Sequence, residues 1–167
     1  MLIKNASYVH GPESRQALLE GPFGAVLLLG SETTDRRFSL VEHPLAARAL
    51  GAPVHTHRNE DEYSLVLDGT IGVEIDGETF EVAAGGVASK PRGIPHAFWN
   101  PTDEPARVLE LIVPGGFERY FADLGEIFRR PGPPDLEALQ AVAARYELEL
   151  EPDSIPRLAA EHDLRIN

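Results

Sequence analysis

The chain of 167 residues contains no cysteine. That excludes disulfides, thiolate metal sites and a cysteine nucleophile, so any bound metal must rely on nitrogen and oxygen ligands. Long apolar runs are also missing. The most apolar stretch, "GAVLLLG", is far shorter than the roughly 20 residues that cross a bilayer as a helix. The opening "MLIKNASYVHGPESR" lacks the apolar core of a secretory signal. Basic residues are outnumbered, 15 Lys and Arg against 27 Asp and Glu, for a net charge of -12. A polyanion would be repelled on average, which argues against a nucleic-acid partner. No glycine-rich phosphate loop, serine elbow or dinucleotide fingerprint occurs. The expectation is a cytoplasmic protein with neither membrane nor nucleic-acid partners.

What is present fits a single domain with one sizeable core, at 43% apolar and 25% charged residues. From residue 24 to about 113, short strand signals alternate with turn residues. "TIGVEIDGETFEVAAGG" alternates Ile71, Val73 and Ile75 against Gly72, Glu74 and Asp76, and its "DG" is a two-residue hairpin signal. "ARVLELIVPGG" sets Val108, Glu110 and Ile112 against Leu109, Leu111 and Val113. Many short antiparallel strands predict an all-β barrel or sandwich. The tail changes character. "GFERYFADLGEIF", "DLEALQAVAARYELEL" and "EPDSIPRLAAEHDL" read as helices, with Asp135 and Ser154 as caps and Pro156 in a first turn. The expected layout is a β-barrel unit over residues 1–114 and a helical appendage over 115–167, packed on the same domain.

Six histidines are present. In "HTHRNEDEYSLVLDG", His55 and His57 lie two apart, so a strand would turn both rings to one face. Three acidic residues follow: Glu60, Asp61 and Glu62. If "EYSLVLDG" is a strand, Glu62, Ser64 and Val66 share a face, and Glu62 can reach back towards the histidines. Further on, "GGVASKPRGIPHAFWN" forces a tight turn and delivers His96 onto a strand. His10, His43 and His162 have no partner at ligand spacing. Trp99 falls on the face opposite His96, as a packing residue.

These stretches resemble the two motifs of the cupins. His55, His57, Glu62 and Gly69 fit the first motif; Gly85, Pro91, Gly93, His96 and Asn100 fit the second. One position departs, because Ala49 stands where the first motif opens on glycine. The tail is similar to that of small single-domain bacterial cupins described as quercetin 2,3-dioxygenase-like. The resemblance implies a double-stranded β-helix, or jelly-roll, barrel. It implies one divalent transition metal (Fe, Mn, Ni, Co or Zn) held by His55, His57, Glu62 and His96. It selects Glu62 over Glu60 and Asp61, which are then expected to be solvated loop charges. It also implies a homodimer, formed commonly through edge strands.

The expected function is that of a metal-dependent oxidoreductase of dioxygenase type. Its substrate would be a small chelating molecule such as an enediol, a diketone or a flavonol-like phenol, with Glu62 as the catalytic base. The alternatives are a metal-dependent isomerase, lyase or cyclase, and a non-catalytic module that binds a small ligand. Strand parity offers Ser64, Ser89, Phe98 and Asn100 as substrate contacts facing the cavity. Phe117, Tyr120 and Phe121 are expected to seal the appendage onto the barrel.

Overall fold

The computed structural model describes residues 9–133 and 135–166. Residues 1–8, assigned above to the barrel unit, lie outside that range, as do Pro134 in the proline-rich break and Asn167. The strands are β1 (Gln16–Leu19), β2 (Ala25–Leu29), β3 (Ser39–Leu45), β4 (Leu50–His57), β5 (Asp61–Asp68) and β6 (Thr70–Ile75). They continue with β7 (Glu78–Ala83), β8 (Val87–Lys90), β9 (His96–Trp99), β10 (Ala106–Val113) and β11 (Leu148–Leu150). The helices are α1 (Glu118–Phe128), α2 (Leu136–Arg145) and α3 (Ser154–His162).

The strands form two antiparallel sheets. One has six strands in the order β1-β2-β3-β10-β5-β8, the other five in the order β11-β4-β9-β6-β7. This is the expected all-β jelly-roll architecture with a C-terminal helical part. The "DG" hairpin forms between β6 and β7, with Asp76 and Gly77 both at positive φ (52° and 78°). Positive φ at both central residues matches the right-handed twist of the flanking strands. Inward-facing Val66, Ile71, Val73, Phe98 and Val108 fill the space between the sheets. A Cβ at Gly51 would sit 2.4 Å from the Phe98 ring. A bare backbone there lets the ring lie flat against β4.

The tail differs from the expectation in two places. The helical signal of "DLEALQAVAARYELEL" stops at Arg145, and Leu148–Leu150 is instead a strand paired with β4, Leu148 opposite His57 and Leu150 opposite His55. Glu147, at φ 52°, reverses the chain, and the alternation in "LEL" then suits a strand edge better than a helix face. Asp135 does cap α2, accepting from Glu137 N and Ala138 N. Ser154 does not cap α3. Its hydroxyl accepts from the Val54 amide at 2.9 Å and donates to the Glu151 carbonyl at 2.6 Å. Glu151 N in turn donates to Val54 O at 2.8 Å. The appendage is thereby laced to the strand that carries His55 and His57.

The helices bury distinct faces. In α1, Tyr120, Phe121, Leu124 and Ile127 join Phe117 against Leu18, Val41 and Ile112, which closes one end of the barrel as expected. In α3, Leu158 packs with Val54, Ala97 and Trp99, and His162 stacks on Trp99 with ring centroids 4.1 Å apart. Among the described residues, no helix is long and apolar enough to cross a membrane.

Replacing Ser154 by Ala leaves the Val54 amide without its partner. An unpaired buried donor costs about 1–3 kcal/mol, so a lower urea midpoint with an unchanged slope is expected for Ser154→Ala.

Candidate metal centre

The site is assembled by strand register. His55 and His57 alternate onto the inner face of β4, and His96 opens β9 directly opposite His55 in the antiparallel ladder. All three rings therefore come from the five-stranded sheet. Glu62 comes from the facing sheet, as the first inward residue of β5. The chain passes between sheets in the short turn from His57 to Asp61. The turn ahead of His96 is anchored to this strand, because Gly93 N donates to His57 O at 2.8 Å.

The four side chains converge. One ligand atom from each of His55, His57, Glu62 and His96 lies within 4.8 Å of all the others, and all four residues are buried. The imidazole centroids are 4.3 to 5.5 Å apart. His57 Nε2 lies 3.4 Å from Glu62 Oε1, and His96 Nε2 lies 3.5 Å from Glu62 Oε2. Both Nε2 atoms are buried without a hydrogen-bond partner. The outer ring nitrogens are engaged elsewhere: His55 Nδ1 meets Pro53 O at 2.8 Å and His96 Nδ1 meets Ile94 O at 2.9 Å. A carbonyl can only accept, so each Nδ1 carries the proton and each Nε2 presents a lone pair to the centre. Burial holds His55 well below its ordinary pKa, helped by the neighbouring His96 and His57, and burial likewise lowers His96. Neutral imidazoles with inward lone pairs, one carboxylate and no thiolate suit a divalent first-row transition metal. The donor set fits such an ion.

Behind Glu62 lies a buried charge network that sequence reading missed. Lys90, one of only two lysines in the chain, bridges Glu62 Oε2 at 2.9 Å and Glu110 Oε2 at 3.1 Å. Ser64 donates to the same Glu110 oxygen at 2.8 Å. Lys90, Ser64 and Glu110 are each at most 1% exposed. Burial opposes ionisation of Glu62, but the Lys90 ammonium outweighs it and holds Glu62 well below the carboxylate range. Burial also opposes the Lys90 ammonium, and Glu110 and Glu62 outweigh that in turn. Burial pushes Glu110 up to about 7, against the pull of Lys90. The strand patterns carried the signal. Glu110 sits between Val108 and Ile112 on one face, and parity in "VASK" places Lys90 on the face of Ala88.

The remaining expected residues fall in different places. Ser64 is interior, engaged with Glu110. Ser89 was expected to face inward, but its strand buries Ala88 and Lys90 and exposes Val87 and Ser89, so it stands on the outer surface. Phe98 is buried against Phe23 and His43, with Lys90 Nζ 5.0 Å from its ring centroid. Asn100 is spent on the backbone: it donates to Ala46 O and Glu104 O and accepts from Thr102 N. It ties the turn after β9 rather than facing a cavity.

The two acidic neighbours of Glu62 are not solvated loop charges either. Asp61 belongs to β5 and pairs with the Arg92 guanidinium at 2.7 and 3.0 Å, while accepting from Arg92 N at 2.9 Å. It clips the turn that delivers His96. Glu60 places a buried Oε2 3.5 Å from His57 Nδ1, on the outer side of that ring. Phe117 covers the same imidazole edge-on at 4.4 Å between centroids.

A two-sheet antiparallel barrel with three histidines on one sheet and a glutamate on the other defines a β-barrel protein with a centre of metal-site type. Residues 44–112, which hold every one of these groups, match the family described as the cupin domain. Over 73 residues it is 39% identical to quercetin 2,3-dioxygenase of Bacillus subtilis (strain 168), covering 44% of this chain and 21% of that protein. Over 90 residues it is 31% identical to the probable oxidoreductase virH of Hypocrea virens, covering 52% of this chain and 41% of that protein. The chain thus spans about a fifth and two fifths of the lengths of these curated relatives. Among solved structures, KdgF from Halomonas sp. shares the fold with a TM-score of 0.58 at 19% identity, covering 68% of this chain and 98% of that chain.

Two outcomes are expected. His57→Ala empties the centre and Asp61→Ala leaves it full, whereas Glu60→Gln weakens metal affinity by roughly 10- to 100-fold through the His57 ring; calorimetric metal titration measures all three. In metal-free protein, Glu110 is raised from an ordinary 4.5 to about 7. Its contribution to stability is full below pH about 4.5 and is lost as pH rises through about 7. Wild type should therefore lose stability relative to Glu110→Gln between about pH 5 and about pH 8, read from urea midpoints in chelator.

Proposed function

We propose that this protein is a metal-dependent oxidoreductase of dioxygenase type acting on a small chelating substrate, an enediol, diketone or flavonol-like phenol. The observation that carries the reading is the four-ligand centre: three neutral imidazoles and one carboxylate leave one or two positions open on a six-coordinate ion. The likeness to quercetin 2,3-dioxygenase and to a probable oxidoreductase supports redox chemistry over the alternatives.

His55, His57, Glu62 and His96 would hold the ion. When bound, it supplies charge stabilisation for the substrate oxygens and a route for electron transfer to dioxygen. The protein's own contribution is orientation and proton handling. The His55 and His96 rings are locked by their Nδ1 contacts, and the β4–β9 ladder holds the strands that carry all three rings. Glu62 takes the substrate proton on Oε1, while Oε2 stays on Lys90. Lys90 restrains that basicity, since its ammonium favours the ionised carboxylate. Glu62 is therefore matched to acidic protons, such as those of enediols and phenols, rather than to those of simple ketones or alcohols. Lys90 itself does not serve as a nucleophile, because its two carboxylates keep it charged.

The test is oxygen uptake by metal-replete protein on a panel of chelating phenols and diketones. Oxygen consumption with turnover supports the reading. Turnover without oxygen makes the protein an isomerase, lyase or cyclase; tight ligand binding without turnover makes it a binding module. Glu62→Gln keeps the shape and removes the base, so it should lose roughly 10²-fold or more in turnover when compared at equal metal content.

A further inference from the structure

Lys90 stands directly across the strand ladder from Glu62. Between β8 and β5 the pairs are Lys90 with Glu62 and Ala88 with Ser64. Between β5 and β10 they are Glu62 with Ile112 and Ser64 with Glu110. Two neighbouring cross-strand rows therefore hold the whole buried network, and sheet register brings the ammonium to the carboxylate. The ammonium has three protons to place. It donates to Glu62 Oε2 at 2.9 Å and to Glu110 Oε2 at 3.1 Å, and the Phe98 ring centroid lies 5.0 Å from Nζ. Lys90 is buried, so water does not compete for these protons.

The Glu62 carboxylate is placed so that both of its oxygens face ligand nitrogens. Oε1 lies 3.4 Å from His57 Nε2, and Oε2 lies 3.5 Å from His96 Nε2. The four ligands by themselves do not choose between one carboxylate oxygen on an ion and two. Lys90 breaks that symmetry. A charge-assisted hydrogen bond is short and strong, so it draws Oε2 towards the ammonium and weakens it as a metal donor. Among the described residues, no lysine or arginine bonds Oε1; the Lys90 contact is to Oε2.

We propose that Lys90 determines which ligands the centre accepts: by holding Oε2 it limits Glu62 to one oxygen on the ion, and so keeps two positions open for a molecule that chelates through two oxygens. This rests on the reading that His55, His57, Glu62 and His96 hold a six-coordinate metal, and not on the redox chemistry. Three imidazoles and one carboxylate oxygen leave two positions; a second carboxylate oxygen would leave room for a single donor atom. Lys90 does not itself touch the incoming ligand. It is a positioning residue that acts through Glu62, and Glu110, held in turn by Ser64 at 2.8 Å, anchors it from behind. The favoured ligands are enediols and catechol-like phenols, which offer two adjacent oxygens, over anions with one donor atom.

Co(II)-loaded protein, titrated with two probes and followed by its visible absorption, tests this. Nitrocatechol chelates through two oxygens; azide takes one position. Wild type is expected to bind nitrocatechol as the two-oxygen chelate, seen as the spectrum of the doubly ionised probe. The double variant Lys90→Met, Glu110→Gln removes the ammonium together with the carboxylate it would strand. At equal cobalt content it should bind nitrocatechol about 10-fold or more weakly, the scale on which outer-shell partners act, and azide within roughly twofold of wild type. A damaged fold would weaken both probes alike, so the ratio of the two affinities carries the result; an unchanged ratio overturns the proposal. Should the variant fail to fold, wild type decides: nitrocatechol held through one oxygen, as the singly ionised probe, overturns it. A wild type that takes up no cobalt overturns the metal reading and this proposal together. A two-oxygen chelate in a protein that consumes no oxygen supports this proposal and overturns only the redox function.

Discussion

The antiparallel pairing of β4 with β9 is the constraint on which the centre depends. It sets His55 opposite His96, and the two-residue period of β4 then brings His57 to the same face. Three imidazoles are thereby fixed to one rigid sheet before any ion is involved. Glu62 must cross from the other sheet, so the centre also reports the packing of the two sheets. A one-residue slip of β4 would turn both of its histidines outward at once. Such a slip is opposed from both sides: β9 pairs with one edge of β4 and β11 with the other, while Val54 is held to Ser154 and Glu151.

Buried charge is the second theme. Glu62, Lys90 and Glu110 lie in a water-poor interior, where each isolated ion costs several kcal/mol. The arrangement offsets this by alternation: carboxylate, ammonium, carboxylate, with Ser64 supplying a hydrogen bond at the far end. The ammonium fixes the Glu62 carboxylate in one orientation, with Oε2 occupied and Oε1 turned towards His57. The network therefore links metal-site geometry to the proton affinity of its only carboxylate.

The appendage completes the barrel rather than decorating it. Phe117 covers the His57 ring, α1 closes one end, β11 extends the five-stranded sheet and α3 shields its outer face. Only residues 44–112 match the cupin domain, so these covering elements fall outside the matched segment. The chemistry-bearing part is shared with the family, while this surrounding part controls how the centre is enclosed.

Much of this was legible in the sequence, because strand period and turn chemistry are local. Alternation in "TIGVEI" and "ARVLELIV", the "DG" hairpin and the H-x-H spacing determine strands, a turn and a shared face without knowledge of neighbours. The resemblance to the cupins then supplied the order of the ligands. What the sequence could not determine depended on register between distant segments. Whether Ser89 or Lys90 faced the interior turned on how β8 pairs with β5. The roles of Glu60 beside the His57 ring and of Asp61 as a clip on the Arg92 turn appeared only with His57 and Arg92 in place. The helical reading of "YELEL" failed because an open edge of β4 offered hydrogen bonds that a helix end cannot match. Local pattern decides what a segment can form and which residues share a face; tertiary pairing decides what that face meets.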